Sequence, residues 1–293
     1  MKPSLGKRST GRSRPGAPSL RDVWVTRLQS LPRRLRRALG ARVRPDEFSV
    51  LSNAGTSTHV HLWIPEGKGP WPLVLLTPGT DDHSQVFEGF GQAVNASEVA
   101  GLGVVCATFD PAGRGKSWGE EDYGGPEHQD QVRVVLQALQ ARPDVDAQRT
   151  VVVSISLGLS MAAGALASFK GPVLALVDWE GPSDREVITA GGTRLLPAMG
   201  HAMDDESYWQ SREGVRQVPK ISCGYWRLQA ERDHAQPGEL RHAQRMLEAA
   251  QGLPWVRINE QHGLPERIEW LAGGRRAANE ALLKTISQAV KAP

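Results

Sequence analysis

An α/β architecture, with a mostly parallel sheet doubly wound by helices, is predicted by three features of the sequence. Short runs rich in Val and Leu recur along the chain, segments of helical length lie between them, and the runs are continuously apolar, as strands buried on both faces require. The runs fall at 59–64, 73–76, 104–109, 150–155, 173–177, 221–228 and 255–258, and the helical segments at 85–100, 129–141, 157–169, 237–250 and 275–290.

Each element has its own signal. The run at 59–64 precedes the first helix and belongs to a leading hairpin. The run at 73–76 breaks into Thr77-Pro78-Gly79-Thr80, and the one at 104–109 into Asp110-Pro111-Ala112-Gly113, both turn sequences. After 150–155 a helix of small residues begins at once, Met161-Ala162-Ala163-Gly164-Ala165. Residues 178–220, 43 in all, separate Val177 from Ile221, where a plain crossover needs roughly a dozen. Residues 182–220 are therefore expected to form a small helical cap. Pro237 opens the next helix, and 255–258 is the last strand before the C-terminal helix.

Composition sets limits. The chain has 293 residues, 40% apolar and 23% charged, the make-up of a soluble globular protein. No run approaches the roughly 20 apolar residues of a membrane-spanning helix, and the N-terminus lacks a secretory apolar core. Cys106 and Cys223 both lie in apolar runs and read as buried thiols. No Cys/His spacing of the zinc-ligand type occurs. The cytoplasm is the expected location.

The net charge of +3 hides an asymmetry. Residues 1–45 hold 13 of the 35 Lys and Arg and only one of the 32 acidic residues, Asp22. The rest of the chain has 22 basic residues against 31 acidic ones. Residues 1–19 have almost nothing to bury and read as disordered. From Leu20, the positions Leu20, Trp24, Leu28, Leu31, Leu35 and Leu39 form one helical stripe interrupted by Pro32. The expected organisation is a basic arm over 1–45 and a folded α/β body over 46–293. The arm fits an anionic membrane surface, an organellar transit peptide, nucleic acid, or a translation start set too far upstream. No nucleic acid is expected for the acidic body.

The sharpest chemical feature is Thr150-Val-Val-Val-Ser154-Ile155-Ser156-Leu157-Gly158. A buried strand runs into a serine with small residues two positions to either side, and a helix follows. This resembles the nucleophile elbow of the α/β-hydrolases, usually G-x-S-x-G, with Ser154 in place of the first Gly. Ser160 competes as the centre of Gly158-Leu-Ser160-Met-Ala162. Ser156 is preferred because Ser160 would lengthen the strand past two polar residues. In that family an Arg also commonly opens the strand seven residues before the nucleophile, where Arg149 stands.

Two loops extend the resemblance. Thr77-Pro78-Gly79-Thr80 is similar to the family's oxyanion loop, with Pro78 where His is more usual. Two fixed N–H groups stabilise the charge of a tetrahedral intermediate, and the resemblance assigns them to Leu157 and Thr80. Asp110-Pro-Ala-Gly113-Arg114-Gly115-Lys-Ser117 resembles the family's D-x-x-G-x-G-x-S loop. It lacks the dinucleotide-binding glycine order and reads as structural, with Arg114 near the pocket rim.

A serine nucleophile needs a base, and the base an orienting carboxylate. In this family the order is Ser, acid, His. Ala230-Glu-Arg-Asp233-His-Ala-Gln-Pro237 resembles the acid loop of dienelactone-hydrolase-like members, and His262 follows the last strand. The resemblance thus implies a triad of Ser156, Asp233 and His262, with no cofactor and no metal. Asp178 and Glu180, after the preceding strand, are alternative acids, and His234 an alternative base. His83 is a candidate lining residue. His59 and His61 share one strand face, but neither a carboxylate nor a third His lies close in sequence, so a solvated face is expected. The expected reaction is hydrolysis of a small carboxylic ester through an acyl-enzyme. The same triad would serve a thioesterase, acyltransferase or peptidase. A catalytically inactive hydrolase fold used for binding is the reading from another class.

Overall fold

The computed structural model describes residues 42–88, 94–190, 203–233, 241–271 and 275–292. Residues 1–41 of the expected basic arm lie outside these residues, as does His234. Residues 41–293 form one compact unit. Among the described residues no helix is long and apolar enough to cross a membrane.

Nine strands form one sheet in the order β1-β2-β4-β3-β5-β6-β7-β8-β9. They are β1 (Val43–Leu51), β2 (Ser57–Pro65), β3 (Trp71–Thr77), β4 (Val105–Phe109), β5 (Val145–Ile155), β6 (Ala175–Trp179), β7 (Gly224–Leu228), β8 (Val256–Ile258) and β9 (Gln261–His262). The six strands from β4 to β8 pair in parallel, while β1–β2, β2–β4 and β8–β9 are antiparallel. All seven predicted strands are present.

The helices are α1 (Ala96–Ala100), α2 (Pro126–Gln140), α3 (Gly158–Leu166), α4 (Arg185–Ala190), α5 (Glu206–Gln210), α6 (Gly214–Gln217), α7 (Arg241–Ala249) and α8 (Arg275–Ala289). Successive residues of β3 serve opposite faces. Leu73 and Leu75 pack with Val135 and Leu136 of α2 and Met161 of α3. Val74 and Leu76 pack with Val99 of α1 and Leu282 and Ile286 of α8. Burial on both faces explains the continuous apolar runs.

Three departures from expectation have physical reasons. β1 begins at Val43, inside the expected arm. It is an edge strand with one face largely in solvent, it carries Pro45, Asp46 and Glu47, and so shows little apolar signal. In place of one helix over 85–100, Ser84–Phe87 forms a single 3-10 turn, and α1 starts where the Asn95 side chain accepts from Glu98 N. At the far edge, β9 adds a hairpin after β8. The described part of the insert between β6 and β7 carries α4, α5, α6 and a 3-10 turn at Val218–Lys220. Arg185 fastens it internally, donating to Glu213 Oε1 at 2.7 Å and to Glu206 Oε2 at 2.7 Å.

Candidate active site

Ser156 stands between β5 and α3 with φ +54°. Left-handed backbone costs a non-glycine residue roughly 1–2 kcal/mol, and such strain persists only where surrounding contacts impose it. The contacts are evident. Ser156 N donates to Trp179 O of β6 at 3.0 Å. A Cβ on Gly158 would lie 2.7 Å from both Thr77 O and Pro78 O, which are backbone atoms unable to step aside. Ser154 fits in place of the usual glycine, because its buried hydroxyl reaches Val177 O at 3.5 Å.

Ser160 is otherwise engaged. It is fully buried and its hydroxyl donates to Arg212 O at 2.6 Å, tying α3 to the insert.

The loop after β3 lies against the elbow. A Cβ on Gly79 would meet Ser156 Cβ and Ile155 O at 3.3 Å, and Asp81 takes φ +56°. The backbone N–H groups of Leu157 and Thr80 have no acceptor among the described residues. Arg114 braces this loop. Its Nη1 donates to Gly79 O at 2.7 Å and to Asp82 O at 3.0 Å, and its Nη2 to Glu121 Oε1 at 2.7 Å. Burial raises the Glu121 pKa, but the hydrogen bonds and charge of Arg114 outweigh it and hold the carboxyl below its ordinary range. Arg114, expected near the rim, is a buried strut whose acceptors lie 35 and 32 residues away, one of them Gly79 beside the Ser156 turn.

The glycine loop after β4 closes on itself. Asp110 accepts from Ser84 N at 3.0 Å and Lys116 N at 2.7 Å. A Cβ on Gly113 would strike Glu121 N at 2.6 Å, and one on Gly115 would strike the Asp110 carboxylate. Both glycines are thus required by the loop's own close contacts. Over the elbow, Leu157, Ile188 and Trp209 form an apolar cluster joined by Tyr123 and Tyr208.

The acids differ in their commitments. Asp178 is fully buried, accepting from Arg227 Nη1 at 2.6 Å, Tyr225 Oη at 2.5 Å and Gly181 N at 2.9 Å. Glu180 accepts from Ala230 N at 2.9 Å. Asp233 is buried beyond β7, accepts from Gln229 Nε2 at 2.8 Å, and faces His242 Nε2 at 3.2 Å. Arg227 Nη2 lies 3.2 Å from His242 Nδ1. That nitrogen must therefore be the acceptor, leaving the Nε2 proton toward Asp233. His242, on α7, was missed because a lone His on a polar helix carries no signal.

His262 is placed apart from these groups. It is exposed, sits in β9 and pairs with Arg257. Four inter-strand steps separate β9 from β5, roughly 19 Å across the sheet at about 4.8 Å per step. The structure thus brings the elbow against the loop after β3 and sets Asp233 beyond β7. It does not bring His262 to either.

No family model and no curated protein matches the chain. Solved structures do. The puromycin-hydrolyzing peptidase of Mycobacterium tuberculosis superimposes with a TM-score of 0.63 at 17% identity, over 86% of this chain and 40% of that one. The esterase Pf2001 of Pyrococcus furiosus gives a TM-score of 0.62 at 15% identity, over 85% and 92%. The chain has the α/β-hydrolase fold. Hypothetical protein PA2218 of Pseudomonas aeruginosa is similar too, with a TM-score of 0.56 at 16% identity, over 75% and 86%. This chain spans about 40% of the length of the puromycin hydrolases it matches. At these identities the likeness speaks for the fold, and the elbow and strand order agree with it.

Proposed function

We propose that the chain is a serine hydrolase that cleaves a small carboxylic ester through an acyl-enzyme on Ser156. The observation that carries this reading is the left-handed Ser156 at the β5–α3 junction. On this reading the turn presents the hydroxyl for attack, and the backbone N–H groups of Leu157 and Thr80 serve as the oxyanion donors. Ser156 Oγ attacks the carbonyl carbon and gives its proton to a base, and the oxyanion takes the two N–H groups. Collapse of the intermediate expels the alcohol, which takes that proton. Water then hydrolyses the acyl-enzyme by the same route. The apolar cluster of Leu157, Ile188 and Trp209 favours an apolar acyl group over a charged one. The printed names of the structural neighbours include both an esterase and a peptidase, and peptide, thioester and acyl-transfer chemistry would use the same serine. The arm over 1–45 is proposed to rest on an anionic membrane surface, with the body in the cytoplasm.

Asp233 and His262 are proposed as the acid and the base by chain order. For His262 this requires the segment after β8 to turn back over the sheet. Its exposed position on the edge hairpin favours a second reading, a hydrolase fold that binds without turnover.

Labelling the full chain with a fluorophosphonate, followed by peptide mapping, separates the two. An adduct on Ser156 that disappears in Ser156→Ala is expected. An adduct on Ser160 overturns the assignment, and a folded protein with no adduct supports the non-catalytic reading.

A further inference from the structure

The sequence left His59 and His61 without partners, and the fold supplies them. β1 pairs with β2 so that Glu47 stands directly opposite His61 and Ser49 opposite His59. One ligand atom each from Glu47, His59 and His61 lies within 4.8 Å of the others. Glu47 Oε2 and His59 Nε2 are already 3.1 Å apart, close to the spacing of about 3.4 Å that two ligands of a tetrahedral ion adopt at zinc–ligand bond lengths.

The surroundings match those of a metal-binding pair of histidines. A ligating imidazole generally has its other nitrogen hydrogen-bonded to an oxygen, which fixes ring and tautomer. His59 Nδ1 lies 3.3 Å from Ser49 Oγ. His61 Nδ1 is 3.4 Å from Glu88 Oε1, and His61 Nε2 is 3.9 Å from Asp110 Oδ2. Whichever His61 nitrogen turns to an ion, the other faces a carboxylate. His61 Nε2 and Glu88 Oε1 are buried and have no hydrogen-bond partner. Such orphaned buried atoms are rare in folded proteins and mark places where an ion or water completes the structure.

One cation already visits the cluster. Lys116 Nζ lies 2.9 Å from Glu47 Oε2 and 3.4 Å from His59 Nε2. Its side chain is 59% exposed, so the ammonium can swing into solvent, and exposed ion pairs of this kind add little stability. The geometry points to a divalent transition-metal site of the zinc class, formed by Glu47, His59 and His61, from which the metal displaces the Lys116 ammonium. Two imidazoles and one carboxylate select zinc, nickel or cobalt over magnesium or calcium. Glu47 is exposed, which leaves a path of entry and room for a water as the fourth ligand. The site ties the edge strand β1 to β2 and is independent of the chemistry at Ser156.

The test is titration of the chelator-stripped, tag-free full chain with zinc chloride in a calorimeter, with magnesium chloride alongside. One equivalent of zinc is expected to bind, and magnesium is expected not to. His59→Asn and His61→Asn should weaken zinc by at least about 100-fold. Ser49→Ala, which removes only the orienting hydroxyl, should weaken it by about tenfold. Lys116→Gln should tighten it, because the competing cation is gone. These last two mild variants keep the test decisive if a histidine variant fails to fold. Absence of zinc binding, undiminished binding in His61→Asn, or weaker binding in Lys116→Gln would each overturn the proposal.

Discussion

Replacing Arg114 by Met should release the loop that carries the proposed oxyanion donor. Arg114 is 7% exposed, and its guanidinium makes two hydrogen bonds to backbone carbonyls of that loop, besides those to Glu121. A hydrogen bond to a charged donor contributes about 1.5–3 kcal/mol, and removing one partner of a buried ion pair costs about 3–5 kcal/mol. These losses overlap, so a drop of about 3–5 kcal/mol in unfolding free energy is expected, measured by urea denaturation at neutral pH. Loss of one oxyanion donor reduces turnover about 10²–10³-fold, and the rate of phosphonate labelling at Ser156 should fall by a similar factor. The effect should also depend on pH. The Glu121 carboxyl is depressed in the fold, so its stabilising contribution is present above the unfolded value of about 4.3. It is lost as pH falls through the folded value. The gap between wild type and Arg114→Met should therefore narrow in acid. In Arg114→Met/Glu121→Gln the orphaned charge is removed, and part of the stability should return while labelling stays slow. Equal denaturation midpoints, or a wild-type labelling rate in Arg114→Met, would refute the bracing role.

Ser160→Ala should keep the adduct on Ser156 and lower stability by about 1 kcal/mol, read from the denaturant midpoint, since only the bond to Arg212 O is lost. Asp178→Asn strips the fully buried Arg227 of its carboxylate at 2.6 Å and should cost about 3–5 kcal/mol of stability; a change below about 1 kcal/mol would show that Arg227 finds its compensation elsewhere. Asp233→Asn tests the acid. If Asp233 orients the base, turnover should fall by about 10⁴, the loss when the acid of a serine-protease triad becomes an amide, whereas a purely structural pair with His242 would move the denaturation midpoint and leave labelling intact.

How much of this was legible depended on how local each constraint is. The elbow could be read because its demands fall within five residues, 154 to 158, where a strand must turn into a helix against Thr77 and Pro78. The glycine loop was legible for the same reason, since Gly113 and Gly115 are fixed by neighbours at Glu121 and Asp110. Arg114 was not, because carbonyls attract a guanidinium without leaving any mark in their own sequence. β1 was invisible as a half-solvated edge, and with it went Glu47 and Ser49, the two cross-strand partners of the strand histidines. The position of His262 follows from the turn after β8, where Asn259 takes φ +51° and reverses the chain into β9. Chain order could place a histidine after the last strand, but not the direction in which the turn sends it.

The proposed metal site and the proposed oxyanion loop meet at one residue. Asp110 accepts from Ser84 N, just past the oxyanion loop, and from Lys116 N, whose side chain occupies the cation position. Burial raises its pKa, but His61 and the two backbone amides outweigh that and keep the carboxyl ionised at neutral pH. A metal that displaced the Lys116 ammonium would move a flexible exposed head and leave the backbone amide in place. The loop between is locked, because Gly115 has no room for even a methyl group beside Asp110. A coupling free energy needs two arrangements of the intervening structure, and this loop offers one. Zinc should therefore raise the denaturation midpoint of the chain and leave the rate of labelling at Ser156 unchanged.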